Sequence, residues 1–113
     1  MNIETLREIC MKLPFVTEDV KWGNDLCFCI GAKMFCVAPL NNIFSITVKV
    51  TDDEFQELTH IDGIVPAPYV AKYKWILVTD IDKYSAKEWE QYIHQSYELV
   101  KAKLPKKLLQ QLA

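Results

Sequence analysis

At 113 residues, half of them hydrophobic, the chain has the length of one domain, 1–113, able to bury roughly two thirds of its unfolded surface. A formal net charge of −2 and a pI near 5.6 lack the overall basic excess of strong nucleic-acid binders, so any contact with phosphate must come from a local patch. Glu4, Arg7 and Glu8 interrupt the apolar run that a secretory signal needs, and no stretch approaches the roughly 18 apolar residues of a membrane span; the expectation is a cytoplasmic protein with no membrane partner and reduced cysteines.

Asn2 is placed to cap a first helix in which Ile3, Leu6, Ile9, Cys10 and Leu13 recur at helical spacing, and Pro14 stops it at Leu13. Phe15 to Asn24 reads as a connector with Gly23-Asn24 as a turn. Leu26–Ile30 and Lys33–Ala38 flank Gly31-Ala32, which fits a two-residue type II′ hairpin with Gly first. That register sets Cys27 opposite Cys36. It puts Leu26, Phe28, Ile30, Phe35 and Val37 on one face, and Cys27, Cys29, Met34 and Cys36 on the other. Pro39 to Asn42 turns the chain into Phe44–Val50, whose alternation predicts a strand with its apolar side on the core.

Thr51 and Glu54 form a capping box for a short helix to about His60, ending at Asp62-Gly63. Pro66 and Pro68 cannot donate ladder hydrogen bonds, so Ile64–Pro68 reads as extended loop, with a strand from about Tyr73 in which Tyr73, Trp75 and Leu77 share a face. A second capping box, Ser85 and Glu88, opens the longest helix, whose seam is Trp89, Ile93, Ser96, Tyr97, Val100 and Leu104. Pro105 ends it and starts a last helix over Lys106–Leu112, with Leu108, Leu109 and Leu112 as its docking side. Strands joined by short turns and helices with single apolar stripes predict an α+β two-layer sandwich, a mainly antiparallel sheet with the helices on one face.

Four segments, LREICMKLPFVTEDVKWG, IGAKMF, PAPYVAKYKWILV and SYELVKAKLPKKLL, together resemble the MmcQ/YjbR family of small bacterial proteins, in the family's order over nearly the whole chain. The resemblance implies a CyaY-like fold and a DNA-binding role through a "double wing" surface. The positions it carries over are Lys33, Phe35, Tyr69, Lys72, Trp75, Tyr97, Lys103 and Pro105. This chain differs from the family pattern in Pro68 before the tyrosine, in Tyr73, and in its acidic balance.

Two clusters could serve such a role. Tyr69, Lys72, Tyr73, Lys74 and Trp75 interleave rings with ammonium groups, the combination that stacks on bases and holds phosphates; the competing account is a core tryptophan beside solvated edge lysines. Lys101, Lys103, Lys106 and Lys107 could neutralise a few phosphates, or merely offset a helix dipole. Lys33 in the hairpin completes the set of candidate DNA contacts. Cys27, Cys29 and Cys36 could hold a soft metal, but lack the fourth ligand and CxxC turn of zinc sites, and small buried hydrophobes are the competing reading. His94, with Glu90 and Glu98 one turn away, and His60 near Asp62 read as solvated faces.

No nucleophile elbow, Walker loop, zincin helix or dinucleotide fingerprint occurs. The expectation is therefore a non-enzymatic protein without catalytic residues, metal or cofactor, contacting DNA weakly and salt-sensitively. The alternative is an interaction or small-ligand module, homodimerisation included, in which Pro66, Pro68, Tyr69 and Trp75 line a groove. Frataxin-like iron handling is suggested only by the implied CyaY-like fold and scattered carboxylates, and the first helix offers just Glu4 and Glu8, too thin an acidic ridge for iron.

Overall fold

The computed structural model describes residues 1–40 and 43–112. Asn41 and Asn42 of the expected turn, and the side chain of Leu112, lie outside the described residues. Helix α1 (Ile3–Met11) opens on the Asn2 cap, whose Oδ1 accepts from the Thr5 N–H at 2.8 Å, and it buries Leu6 and Cys10. Six strands follow, β1 (Val16–Lys21), β2 (Asp25–Ile30), β3 (Lys33–Pro39), β4 (Ile46–Lys49), β5 (Ile64–Pro66) and β6 (Trp75–Val78), interrupted by α2 (Asp52–Leu58). Two more helices close the chain, α3 (Ala86–Lys101) and α4 (Lys106–Leu112). All pairings are antiparallel, in the order β1-β2-β3-β4-β6-β5. Among the described residues no helix is long and apolar enough to cross a membrane.

Both capping boxes are present, Thr51 with Glu54 and Ser85 with Glu88. The α3 seam is buried as its spacing requires: Trp89, Ile93, Ser96, Tyr97 and Val100, with Leu104 just beyond. These side chains meet Phe28, Ile30, Phe35, Ile46, Val48, Ile76 and Val78 from the sheet, each large apolar side chain contributing about 1.5–3 kcal/mol on burial. The polar atoms of the seam are satisfied. Trp89 Nε1 donates to the Ile81 carbonyl at 3.0 Å, and Tyr97 Oη to the Pro14 carbonyl at 2.7 Å.

Five expectations are corrected. Phe15–Asn24 is not a connector: its centre is β1, paired with β2 from Val16↔Ile30 to Lys21↔Asp25. Val16-Thr17-Glu18-Asp19-Val20-Lys21 carries little apolar alternation because an exposed edge strand owes its order to the neighbour's ladder. Ile64–Pro66 is likewise a strand, not a loop. It lies at the other edge, where proline's missing N–H leaves no ladder partner unmet.

The Gly31-Ala32 turn has two residues as expected, but both sit at positive φ, +56° and +67°, which is the type I′ geometry. The register also slips. Phe28 pairs with Cys36 and Cys29 with Met34, so Phe35 is an extra residue in a bulge. Cys27 therefore faces Val37, not Cys36. Cys36 turns to the helix side, where Cys10 adjoins it, and Val37 joins Met34 on the open side. The thiol face thus loses a member. Among the described residues no three His, Cys, Asp or Glu side chains stand close enough to hold a metal.

The bulge explains the seam serine. Ser96 Oγ donates to the carbonyl of Phe35 at 2.5 Å and accepts from the Lys49 N–H at 2.9 Å, stitching α3 to β3 and β4. Finally, Tyr73 is outside the strand. It ends a 3-10 turn, Ala71–Tyr73, followed by Lys74 at φ +66°.

Candidate functional site

Strand direction brings the site together. With β3, β4 and β6 antiparallel in turn, the first residue of β3 (Lys33), the last of β4 (Lys49) and the first of β6 (Trp75) all fall at one end of the sheet. Lys49 and Trp75 are direct cross-strand partners. The segment before β6 is pinned there by backbone bonds: Val50 N–H donates to the Lys74 carbonyl at 2.9 Å, and Ala67 N–H to that of Trp75 at 3.0 Å. The last turn of α3 crosses the same end, and α4 docks on the hairpin turn through Leu108 beside Gly31.

The result is a hollow of about 400 Å³ lined by Lys33, Met34, Lys49, Tyr73, Trp75, Val100 and Lys103. Trp75 is 6% exposed and Tyr73 about half exposed, while Lys33 and Lys103 stand free at the rim. Lys49 is buried, 9% exposed, and its Nζ donates to the Tyr73 carbonyl. Burial pushes the Lys49 ammonium below its ordinary range, and the charges of Lys103 and Lys74 add to that, with Asp52 pulling the other way.

The remaining candidates are spread along this end without entering the hollow. Lys72 Nζ lies 5.0 Å over the Tyr73 ring, Lys74 Nζ 5.1 Å over Phe55, and Lys101 Nζ 5.6 Å over Tyr97. Lys106 and Lys107 are exposed on α4. So Lys33, Tyr73, Trp75 and Lys103 are brought together, Lys74 acts at a distance, and Lys72, Lys101, Lys106 and Lys107 flank them. Tyr69 is elsewhere.

Tyr69, fully exposed at φ +68°, lines a second hollow of about 570 Å³ on the open sheet face, with Trp22, Met34, Val37, Thr47 and Pro68 among its walls. Pro68 and Tyr69 are therefore part of a groove as the alternative reading required, but Pro66 and Trp75 are not. Met34 borders both hollows.

The lysines are concentrated at one end. Lys33, Lys49, Lys72, Lys74, Lys101 and Lys103, with Lys106 and Lys107 on the next helix, supply most of the 13 basic residues at the hollow end. Asp25 at the start of β2, Asp62 before β5, and Asp80 and Asp82 after β6 fall at the other end. Arg7 instead joins Glu18 through a forked contact of 2.5–2.9 Å, which raises the arginine and lowers the carboxylate. His94 Nε2 lies 3.4 Å from Glu98, both well exposed, consistent with a solvated face.

Two residues of these hollows are missed by the sequence reading. Lys49 looks like one solvent-side position of an alternating strand, and only its pairing with Trp75 reveals a buried cation. Trp22, 70% exposed, lies in the supposed connector.

A family model described as YjbR matches residues 11–99. No curated protein is matched by the sequence. Among solved structures, a Deinococcus radiodurans protein with a DUF419 domain is 24% identical, with a TM-score of 0.88 over 98% of this chain and 87% of that one. A Pseudomonas syringae protein is 22% identical, with a TM-score of 0.72 over 88% of this chain and 98% of that one.

Proposed function

The chain belongs to the YjbR family, and on that premise we propose a non-enzymatic protein that associates with DNA through the lysine-rich end of its sheet. One observation carries the reading: Lys33, Lys49 and Lys103 surround an indole and a phenol ring in a chain whose overall charge is negative. Asp25, Asp62, Asp80 and Asp82 lie at the far end, and at the hollow end eight lysines stand against Asp52, Asp53 and Glu54 at the start of α2, which leaves the local balance positive. Rings beside ammonium groups suit unpaired bases with their phosphates better than a duplex groove, because a hollow of this size admits one nucleotide rather than a helix.

Three or so phosphate contacts would give affinity that falls with salt at a log–log slope of roughly −2 for single strands. Fluorescence anisotropy of a labelled strand over a salt series measures that slope. Reversing Lys33 and Lys103 to Glu abolishes binding on this account. Binding that is absent at low salt, or that survives the reversal, refutes it.

A second reading is favoured by Tyr69 and Trp22, both widely exposed beside the open-face groove: a protein-interaction or small-ligand module without a nucleic-acid role. Sedimentation at rising concentration tests its homodimer form, with Tyr69→Ser as the variant that should return the protein to a monomer.

A further inference from the structure

We propose that the hollow around Lys49 is a pocket for a terminal phosphate monoester and its adjoining planar base, a subsite within the DNA-associating end and resting on that reading. Lys49 is the reason. A buried ammonium is ordinarily matched by a carboxylate. Yet among the described residues the ion pairs are Arg7–Glu18 and His94–Glu98, and Lys49 has only the Tyr73 carbonyl for its three donor protons. Of the charges that act on it, Lys103 and Lys74 repel it, and Asp52, which forms no ion pair with it, offsets them only in part. An anion seated between Lys49, Lys103 and Lys33 supplies the missing countercharge.

The class of anion follows from what surrounds it. A monoester carries nearly two negative charges where a chain-internal diester carries one, and it meets more than one ammonium group here. The walls beside the lysines are Tyr73, whose half-exposed ring offers surface to a base, and the edge of the largely buried Trp75. The volume, about 400 Å³, lies near the small end of the range for small-molecule pockets, about 300–1,000 Å³. The phosphate can arrive on a strand end or on a free mononucleotide, and the two sources share this chemistry.

The test is calorimetric titration of the full chain with one short single strand in three forms, unphosphorylated, 5′-phosphorylated and 3′-phosphorylated, and with adenosine monophosphate against adenosine. A strand phosphorylated at one end should bind about tenfold more tightly than the unphosphorylated one, as expected for one or more added charge-assisted hydrogen bonds. Adenosine monophosphate should bind where adenosine does not. Lys49→Met, and the exposed Lys103→Gln should the first fail to fold by circular dichroism, should remove the preference while leaving residual strand binding. Equal binding of all three strands together with silence toward adenosine monophosphate overturns the pocket and leaves the DNA reading standing. Binding of adenosine monophosphate without any strand supports the pocket and overturns the DNA reading. A preference that survives both variants overturns the assignment to Lys49.

Discussion

Replacing Lys49 by methionine should stabilise the protein in phosphate-free buffer. The substitution keeps the volume of the stem but removes an ammonium that is buried, repelled by Lys103 and Lys74 more than Asp52 attracts it, and in no ion pair among the described residues. Exchanging buried ions for apolar groups of similar size is neutral or stabilising by about 1–4 kcal/mol. Against this stands the lost hydrogen bond to the Tyr73 carbonyl, a charged bond of about 1.5–3 kcal/mol if nothing replaces it. That carbonyl belongs to a residue on an open hollow, so water takes the vacated place and the loss is partly made up. The net is a gain of about 1 kcal/mol, or about 4 °C in Tm for a domain of this size. The pH dependence fixes the cause. A lysine whose folded value is depressed lowers stability while it is charged, and that penalty is relieved as pH rises from the depressed value toward the ordinary 10.5. The advantage of Lys49→Met should therefore be full at neutral pH and shrink as pH climbs through that window. Urea titrations of both proteins at several pH values measure it. A variant destabilised by more than about 1 kcal/mol at neutral pH, or one whose advantage ignores pH, refutes the picture of an unmatched buried cation.

Ser96→Ala leaves the Lys49 N–H and the Phe35 carbonyl without a partner in a buried setting, and should cost about 2 kcal/mol by urea denaturation; Ser96→Thr, which keeps the hydroxyl, should recover part of it. Gly31→Ala would place a Cβ 2.8 Å from Leu108 Cδ2 and 3.1 Å from Leu104 Cδ1 at φ +56°, so a loss of about 1–2 kcal/mol and faster hydrogen exchange in α4 are expected. Burial pushes the Cys27 thiol up to about 11. Its contribution to stability is whole below the ordinary 9.0 and lost as pH rises from there toward about 11, and alkylation of the native thiol should be slow until that window is entered.

The parts of the fold written in caps and seams are legible from the residues alone. Asn2, Thr51 with Glu54 and Ser85 with Glu88 each mark a helix start by a local hydrogen bond, and the α3 seam repeats often enough to fix its buried face. What stays hidden depends on a neighbour. Strand β1 is ordered by the ladder of β2, and β5 by that of β6, so neither needs a period-two pattern of its own. The bulge at Phe35 is invisible because Phe35-Cys36-Val37-Ala38 is apolar at every position, and a pattern without polar positions cannot report which face each residue takes. The site divides in the same way. Lys33, Tyr73, Trp75 and Lys103 are recognisable as rings and cations of the right kind. Lys49 becomes part of the site only through the β4–β6 register, and Tyr69 leaves it because its backbone turns to the other hollow.

The most direct test of the lysine and indole end is an NMR shift titration of the labelled chain with a short single strand, with a duplex of the same sequence as comparison. Saturable shifts concentrated at Lys33, Lys49, Tyr73, Trp75 and Lys103, larger for the single strand and reversed by added salt, are what the account predicts. An unchanged spectrum at low salt, or shifts confined to Trp22, Val37 and Tyr69 on the open face, would contradict it.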